Sequence, residues 1–311
     1  MDHLQICGGP FPNYKGMKTI VLAQDKFEFI GGTTTLLIDM ASALLRIGDY
    51  KIYYWSTDLG TNSQTERWFE SNGISKYVNQ PVDYAITCQQ NATRYFVNKC
   101  KVLQLINSKF TSLEMPVPGC KCYLAISMEI RNYIKDTINM EIPVLLNGID
   151  LFRFKPTGNL NNIPRVLSIC QGNDKLLEQA CNELGFEFKS VPKNVGSRIW
   201  NIEDLIKDSD IVVGIGRSAY VGMACGKCVI SWDNRNLNPN TGCGYIEPSK
   251  FFDYAVTNFT GRGFEPIDTV DKLKKELTKY NPDDGMLLRK IAEQHLNADI
   301  NTRICLSILE K

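Results

Sequence analysis

Histidine is scarce in this 311-residue chain, which holds only His3 and His295. His3 lies in the glycine- and proline-rich first segment and His295 in a predicted terminal helix, so base catalysis by histidine is not expected. No stretch of eighteen apolar residues occurs, so no membrane span is expected. The first sixteen residues lack the basic and apolar segments of a secretory signal. We therefore expect a cytoplasmic protein.

An excess of charge of either sign is also absent. The chain carries 35 basic and 34 acidic side chains, which leaves a net charge of +1. This balance gives no strong sign of nucleic acid or of a membrane surface as a partner.

Metal-ligating patterns are missing as well. The eleven cysteines are scattered, and the close pairs are Cys120 with Cys122 and Cys225 with Cys228. A zinc site would need two such pairs, or a pair with histidines, at ligand spacing. Cys225 and Cys228 fall in a small-residue helical segment, which favours packing over redox chemistry. No Asp-x-Asp pair follows a predicted strand either. We expect no metal site, and unpaired thiols suit a reducing compartment.

What is present is an alternation of short buried strands with amphipathic helices. The first block has predicted strands at 18–23, 51–55, 84–87, 101–106, 122–126 and 144–146, with helices at 36–47, 63–72, 90–98 and 127–137. The second block has predicted strands at 165–170, 186–191, 210–213 and 228–231, with helices at 174–184, 202–207 and 217–226. Predicted helices at 268–280 and 284–309 close the chain.

This alternation predicts an α/β fold with two Rossmann-like doubly wound domains facing one cleft. We predict an N-terminal arm at 1–16, a first domain at 17–156, a linker at 157–164, a second domain at 165–262 and C-terminal helices at 263–311. The polar segment 232–244 is predicted as a long loop. Such a loop either closes over a ligand or is a solvated connection.

The segment Gly214-Ile-Gly216-Arg217-Ser218 carries the clearest chemical signal. It follows a predicted strand and opens a predicted helix. Glycines allow close backbone approach, and the unpaired N–H groups and positive dipole end of a helix suit a phosphate. The guanidinium of Arg217 adds a fixed fork of donors for a diphosphate. We favour an anion site here over a turn without a ligand.

Gly31-Gly32-Thr33 follows the same logic in the first domain, ahead of its first predicted helix. Alone, this pair of glycines fits a capped turn equally well. Both glycine loops, however, follow strand carboxyl ends and would face each other across the cleft. Together they predict a site for a phosphate-bearing ligand.

Several segments resemble the family 4 glycosyltransferases of GT-B fold. They are Gly31-Gly32 before the first helix, Asn147-Gly148-Ile149-Asp150 followed by Phe152 or Phe154 and Pro156, Ser209-Asp210-Ile-Val-Val, Gly222 to Ile230, Ala125-Ile-Ser127, and Gly242 to Ile246. The resemblance covers residues 17 to 262.

The resemblance implies transfer of a sugar from a nucleotide-diphosphate sugar to an unknown acceptor, with retention at the anomeric carbon. The donor would be a cosubstrate, with no metal and no cofactor. The first domain would mainly take the acceptor and the second the donor. Donor-binding candidates are Gly31, Gly32, Thr33, Gly214, Gly216, Arg217 and Ser218. Asn147 and Asp150 would form a hinge and cleft wall at the domain boundary, although an Asn-Gly turn is often only a turn.

Two departures from the family bear on catalysis. Two glutamates that the family carries eight positions apart are replaced by Val213 and Val221. After the first strand of the second domain, Lys175 is the only plausible cation for the diphosphate. Arg217 and Lys175 are therefore our catalytic candidates, because fixed donors would stabilise the departing diphosphate.

An inverting mechanism would need a carboxylate base instead. The candidates near first-domain strand ends are Asp25, Glu28 and Asp58, and each fits a solvated loop residue better. Arg262, in a glycine-flanked turn, could reach a phosphate, but a turn that ends a helix explains those glycines equally well.

Two further function classes compete with a glycosyltransferase. One is a non-catalytic nucleotide or nucleotide-sugar binding protein of the same fold, which the missing glutamates favour. The other is a Rossmann-type dehydrogenase or epimerase. That class would need Gly-x-Gly-x-x-Gly after the first strand, which residues 24–35 do not provide.

Overall fold

Two sheets with helices on their faces organise the chain. The computed structural model describes residues 16–28, 30–58, 62–109, 114–156, 160–192, 200–235 and 240–311. The predicted arm, apart from Gly16, and linker residues 157–159 lie outside the described residues. We call each sheet with the helices packed on it a lobe. The predicted α/β class with two Rossmann-like units is confirmed.

The first lobe contains a six-stranded parallel sheet in the order β3-β2-β1-β4-β5-β6. Its strands are β1 (Lys18–Ala23), β2 (Tyr50–Trp55), β3 (Ser75–Lys76), β4 (Tyr84–Thr87), β5 (Lys101–Ile106) and β6 (Cys122–Ala125). Its helices are α1 (Gly32–Ile47), α2 (Gln64–Ser71), α3 (Gln90–Phe96) and α4 (Met128–Ile138). This is the strand order of a Rossmann sheet.

Strand β1 lies at the centre of this sheet because it is apolar on both faces. Its last four residues, Ile20 to Ala23, are fully buried, as expected for a parallel strand covered by helices. Helix α1 crosses back and ends at Gly48, where φ is 80° and the N–H donates to the Leu44 carbonyl. Glycine takes this left-handed conformation without steric cost, so the helix ends where the sequence predicts.

The second lobe contains a five-stranded sheet in the order β11-β10-β9-β7-β8. Its strands are β7 (Arg165–Ser168), β8 (Glu187–Ser190), β9 (Ile211–Val213), β10 (Cys228–Asp233) and β11 (Thr241–Tyr245). Its helices are α5 (Lys175–Leu184), α6 (Ile202–Lys207), α7 (Arg217–Ala224) and α8 (Phe251–Ala255), with a 3-10 turn at Pro248–Lys250. Only β11 runs antiparallel to its neighbour.

Strand β11 corrects the prediction of one long loop over 232–244. Strand β10 continues to Asp233, and β11 pairs with it from Thr241 onward. The sequence of this strand contains Gly242 and Gly244, and glycine is uncommon within strands, so local pattern predicts a loop. A Cβ on Gly242 would lie 2.1 Å from the carbonyl oxygen of Ser231, so the strand can pair only with a glycine there. Residues 236–239 lie outside the described part of the chain.

A second correction concerns residues 144–146, which were predicted as a strand. They form a single bridge, in which Leu145 donates to the Ala125 carbonyl at 2.9 Å and Ala125 donates to the Pro143 carbonyl at 3.0 Å. Pro143 has no N–H to extend the ladder. The chain therefore leaves the sheet here and runs on toward the second lobe.

The end of the chain forms three helices, α9 (Val270–Leu277), α10 (Pro282–His295) and α11 (Ala298–Glu310). The predicted helix 284–309 is thus broken. Asn297 caps α11 by accepting from the Asp299 N–H at 2.9 Å, and Ile149 pairs with the backbone on both sides of the break. Helix α11 then packs Cys305, Leu306 and Leu309 into the core of the first lobe. No helix among the described residues is long and apolar enough to cross a membrane.

Candidate functional site

The candidate site lies where the carboxyl ends of the two sheets face each other. The strand order reverses between β1 and β4 in the first sheet and between β7 and β9 in the second. In open α/β sheets, ligands bind beyond the strand ends at such a reversal. Two cavities of about 370 Å³ and about 350 Å³ lie between the lobes, lined by the loops that follow the strands.

The two cavities differ in chemistry. The first, which we call the polar cavity, is lined by polar side chains of both lobes, among them Thr33, Asn107, Ser108, Lys109, Glu114, Asn147, Asp233, Asn234, Arg235, Asn258, Thr260 and Arg262. The second, the tryptophan cavity, has an apolar lining that includes Ile30, Ile38, Phe154, Val191, Pro192, Trp200, Ile202 and Val221. Six residues line both and form a shared wall: Gly32, Ile169, Cys170, Gln171, Arg217 and Ser218.

Two helices begin at the shared wall. Helix α1 begins at Gly32, one turn earlier than the predicted residue 36, so the glycine loop is its first turn. Helix α7 begins at Arg217 after Gly216, whose φ is 51° and ψ is −124°. A Cβ on Gly216 would also approach the Asn258 amide nitrogen to 3.1 Å. Because other residues rarely adopt this backbone conformation, the turn into α7 requires a glycine.

Most of the predicted donor-binding residues line the cavities. Gly31 lines the tryptophan cavity, Thr33 and Gly216 line the polar cavity, and Gly32, Arg217 and Ser218 lie on the shared wall. Gly214 supports the wall from behind, because a Cβ there would lie 2.6 Å from the Cβ of Ser218.

The remaining predicted site residues are dispersed. Asn147 lines the polar cavity. Asp150 lines neither cavity; its carboxylate pairs with Arg46 at 3.2 Å and accepts from the Phe152 N–H at 3.0 Å. Lys175 is exposed at the first turn of α5 and lines a surface depression along that helix. The structure thus does not bring Lys175 to the shared wall.

Arg217 is engaged across the interface between the lobes. Its Nε donates to the Thr35 hydroxyl at 2.9 Å, its Nη1 donates to the Gly148 carbonyl at 2.9 Å, and its Nη2 donates to Asp39. Three of the five N–H donors of this guanidinium are therefore used within the protein. Burial raises the pKa of Asp39, and the charge of Arg217 opposes that rise.

A second ion cluster ties the lobes at the rim of the polar cavity. Glu129 of α4 accepts from Arg262 Nε at 2.6 Å and also from its Nη2, and Lys109 Nζ lies 2.7 Å from the same carboxylate. Burial alone would raise the pKa of Glu129, but hydrogen bonds from Arg262 and Lys109 lower it. Arg262 therefore lines the cavity as a paired cation.

The loop after β7 is held in place by Asn234. The Asn234 side chain accepts from the Gly172 N–H at 2.8 Å and donates to the Asp174 carboxylate at 2.8 Å. A Cβ on Gly172 would lie 1.9 Å from the Asn234 carbonyl oxygen, so the two loops touch through a glycine. These contacts fix the position of Gln171 on the shared wall.

The three carboxylates considered as bases from the sequence do not line either cavity. Asp25 is buried and accepts from the Ala92 N–H at 2.9 Å at the start of α3. Asp58 accepts from the Phe27 N–H at 3.1 Å and from the Glu28 N–H at 3.2 Å, which shapes the loop. Glu28 is exposed.

Glu114 also lines the polar cavity, although no motif in the sequence indicates a functional residue there. It is 6% exposed and accepts from the Asn107 N–H at 3.0 Å just beyond the end of β5. Burial raises the pKa of Glu114 to about 7. Its only sequence signal is an acidic residue a few positions after a strand. Trp200 and Asp39 also line a cavity without any local sequence signal, because only the fold brings them there.

Positions 213 and 221, where the resemblance to family 4 glycosyltransferases leads us to expect glutamates, lie in different surroundings. Val213 is fully buried in the core of the second lobe, whereas Val221 is 7% exposed and lines the tryptophan cavity. The cavity wall is therefore apolar at the position of the second glutamate.

The described cysteines are all buried or half-buried. The cysteines that the structure describes are free thiols, and Cys225 and Cys228 are buried, with burial raising the pKa of Cys225 to about 12. No group of three or more potential metal ligands occurs among the residues that the structure describes.

Comparison with solved structures finds matches over nearly the whole chain. A Listeria monocytogenes protein assigned as a UDP-N-acetylglucosamine 2-epimerase matches with a TM-score of 0.56 at 9% identity, covering 94% of this chain and 96% of that one. The glycotransferase of kitacinnamycin gives 0.57 at 10% identity, covering 94% and 99%. A Medicago truncatula protein complexed with UDP-glucose gives 0.55 at 8% identity, covering 94% and 98%.

The chain has the GT-B fold. At these identities the likeness extends to the fold alone. No family model and no curated protein matches the sequence. The GT-B arrangement accounts for the two cavities, because it sets the strand carboxyl ends of two Rossmann-like units against each other.

Proposed function

We propose that this GT-B chain binds a nucleotide-diphosphate sugar in the cleft and transfers the sugar to an acceptor without a metal. One observation carries the proposal: an apolar, aromatic cavity and a polar cavity meet at a wall where two helices begin. That is the layout a nucleoside, a diphosphate and a sugar joined in a row would require.

The shared wall would hold the diphosphate. Helices α1 and α7 begin there with Gly32 and Arg217, so the positive ends of both dipoles meet at one place. The two N–H donors of Arg217 that no described residue accepts add to this field. Lys175 remains a candidate for the diphosphate only by its position in the sequence, because it lines a surface depression along α5 and neither cavity.

The nucleoside would enter the tryptophan cavity and the sugar the polar cavity. Trp200 and the aliphatic side chains of Val191 and Val221 suit a flat base and a ribose face. Asn107 and Asn147 suit sugar hydroxyls on the other side of the wall. The similar structures include one complexed with UDP-glucose and one of a protein assigned as a UDP-N-acetylglucosamine 2-epimerase. Uridine nucleotides are therefore the first probes.

A non-catalytic nucleotide-sugar binding protein is the second candidate function. It is favoured by Val213 and Val221, which replace the two glutamates that the resemblance would lead one to expect. Retention at the anomeric carbon, also implied by the resemblance, remains a prediction. UDP release and analysis of the sugar product would separate transfer, hydrolysis, epimerisation and binding alone.

The test is a thermal-shift screen with UDP, GDP, ADP, CMP and their common sugar conjugates. A ligand at about a hundred times its Kd stabilises a fold by about 2.7 kcal/mol, which such a screen detects. Gln171→Glu places a negative charge on the shared wall with almost no change of shape, so it should weaken nucleotide binding.

Gln294→Glu is the matched control, since this side chain is exposed on α10. It should leave the ligand-induced shift unchanged. Equal shifts in both variants would place the diphosphate elsewhere. If no nucleotide shifts the wild-type protein, the proposed function is wrong and only the fold remains.

A further inference from the structure

Glu114 is distinct among the carboxyl groups on the wall of the polar cavity. The other one within the described residues, Asp233, is paired with Arg235 at 2.7 Å. No described lysine or arginine lies within ion-pair distance of Glu114, whose side chain accepts a hydrogen bond from the Asn107 N–H at 3.0 Å. An unpaired, nearly buried carboxyl at a cavity wall is costly to hold and is typical of a group that handles protons.

The chain after Glu114 is fixed to the sheet. Gln104 in β5 is fully buried, and its side chain donates to the Met115 carbonyl at 3.0 Å and accepts from the Val117 N–H at 2.8 Å. The segment that carries Glu114 is therefore anchored to the centre of a strand, which holds the carboxyl in position. Such preorganisation is what a proton-transfer group needs.

The place of Glu114 in the polar cavity indicates which group of a bound substrate could give it a proton. Glu114 belongs to the first lobe and lines the same cavity as Gly216 and Ser218 of the second lobe. A sugar in the polar cavity with its phosphate on the shared wall would have its anomeric carbon between them. An acceptor hydroxyl that approaches from the side opposite the diphosphate would then meet the first-lobe wall.

We propose that Glu114 is the general base that accepts the proton of the acceptor hydroxyl. This inference rests on the proposed function. As the proton moves to the Glu114 carboxylate, the acceptor oxygen forms a bond to the anomeric carbon. The bond from that carbon to the diphosphate oxygen breaks, and its electron pair stays with the diphosphate. Glu114 then releases the proton to solvent. Direct displacement of this kind inverts the anomeric carbon, in contrast to the retention that the resemblance implies.

The protonation behaviour of Glu114 fits this role at neutral pH. The pKa of Glu114 is raised to about 7, mainly by burial and to a smaller extent by the charge of Asp25, while the backbone N–H groups of Asn107 and Ser108 act in the opposite direction. A base is most effective when its pKa lies close to the working pH.

The test uses water as the acceptor and measures UDP release from UDP-glucose and UDP-N-acetylglucosamine between about pH 5.5 and about pH 9. For the wild type we expect the rate to rise with pH and level off above the pKa of Glu114. Glu114→Gln keeps the shape and one oxygen that can accept from the Asn107 N–H, but it removes the base, so the rate should fall by about 100-fold or more and lose its acidic limb. The thermal shift with UDP should stay unchanged in this variant.

Glu265→Gln is the control, because this carboxylate is exposed outside both cavities and should leave the rate and its pH profile unchanged. A Glu114→Gln variant with the wild-type rate or an intact acidic limb would overturn the proposal. The donors are α-linked, so inversion must release the β-anomer of the sugar first. Release of the α-anomer first would also overturn the proposal. If the wild type binds these donors without releasing UDP, the base assignment fails while donor binding stands. If it binds none of them, the proposed function fails as well.

Discussion

Arg217, the first residue of α7 in the second lobe, forms a buried ion pair with Asp39 of α1 in the first lobe. Their side chains are 10% and 2% exposed, and the same guanidinium also donates to Thr35 and Gly148. Arg217 therefore holds the two lobes together at the wall shared by the cavities. From sequence it was expected to serve the diphosphate alone.

We expect Arg217→Ala to destabilise the protein by about 3–5 kcal/mol, because it leaves the Asp39 carboxylate buried without its partner. The double variant Arg217→Met with Asp39→Leu should recover a large part of this loss, since it removes both charges. Urea unfolding of the single and double variants measures both values. A double variant no more stable than Arg217→Ala would show that the contacts to Thr35 and Gly148 carry the stabilisation instead.

Gly216→Ala should destabilise the protein by about 1–3 kcal/mol, because alanine is strained at φ 51° with its Cβ close to Asn258. Gly32→Ala is the matched change on the facing helix, where the new Cβ would lie 3.8 Å from Arg217 Cδ, an ordinary contact. Its effect should stay within about 0.5 kcal/mol. Equal stabilities of the two variants in urea would argue against a required glycine at the start of α7.

The stability difference between wild type and Glu114→Gln should depend on pH. The pKa of Glu114 rises from its ordinary value of 4.5 to about 7 in the fold, so folding favours the protonated carboxyl. The stability that the wild type gains relative to Glu114→Gln is therefore fully present below pH 4.5, and it is lost as the pH rises through about 7. A pKa shift from 4.5 to about 7 corresponds to a change of about 3 kcal/mol in the free energy of unfolding. Urea unfolding at intervals across this range checks it, and a constant difference would mean that Glu114 titrates normally in the fold.

Local patterns were enough to predict the elements that carry the site. Strands β1, β4 and β5 have the predicted bounds, and α1 ends where Gly48 predicts. These segments are short, apolar and bounded by polar residues or glycines, so each one's conformation follows from its own sequence. Gly31, Gly32, Gly216 and Ser218 were placed at the cleft for the same reason, because a strand carboxyl end followed by glycine and a helix has one position in a doubly wound fold.

Tertiary structure alone decided which side chains meet across the cleft. Asp39 is an ordinary acidic residue within a helix, and nothing in the sequence pairs it with Arg217, 178 positions away. Likewise, the exposure of Lys175 and the burial of Glu114 depend on which neighbours the fold packs around each side chain. The sequence by itself determined the two sheets and their glycine turns, since those follow from local periodicity and backbone freedom. The charge state of the cleft was decided by contacts between distant residues, which no local pattern encodes.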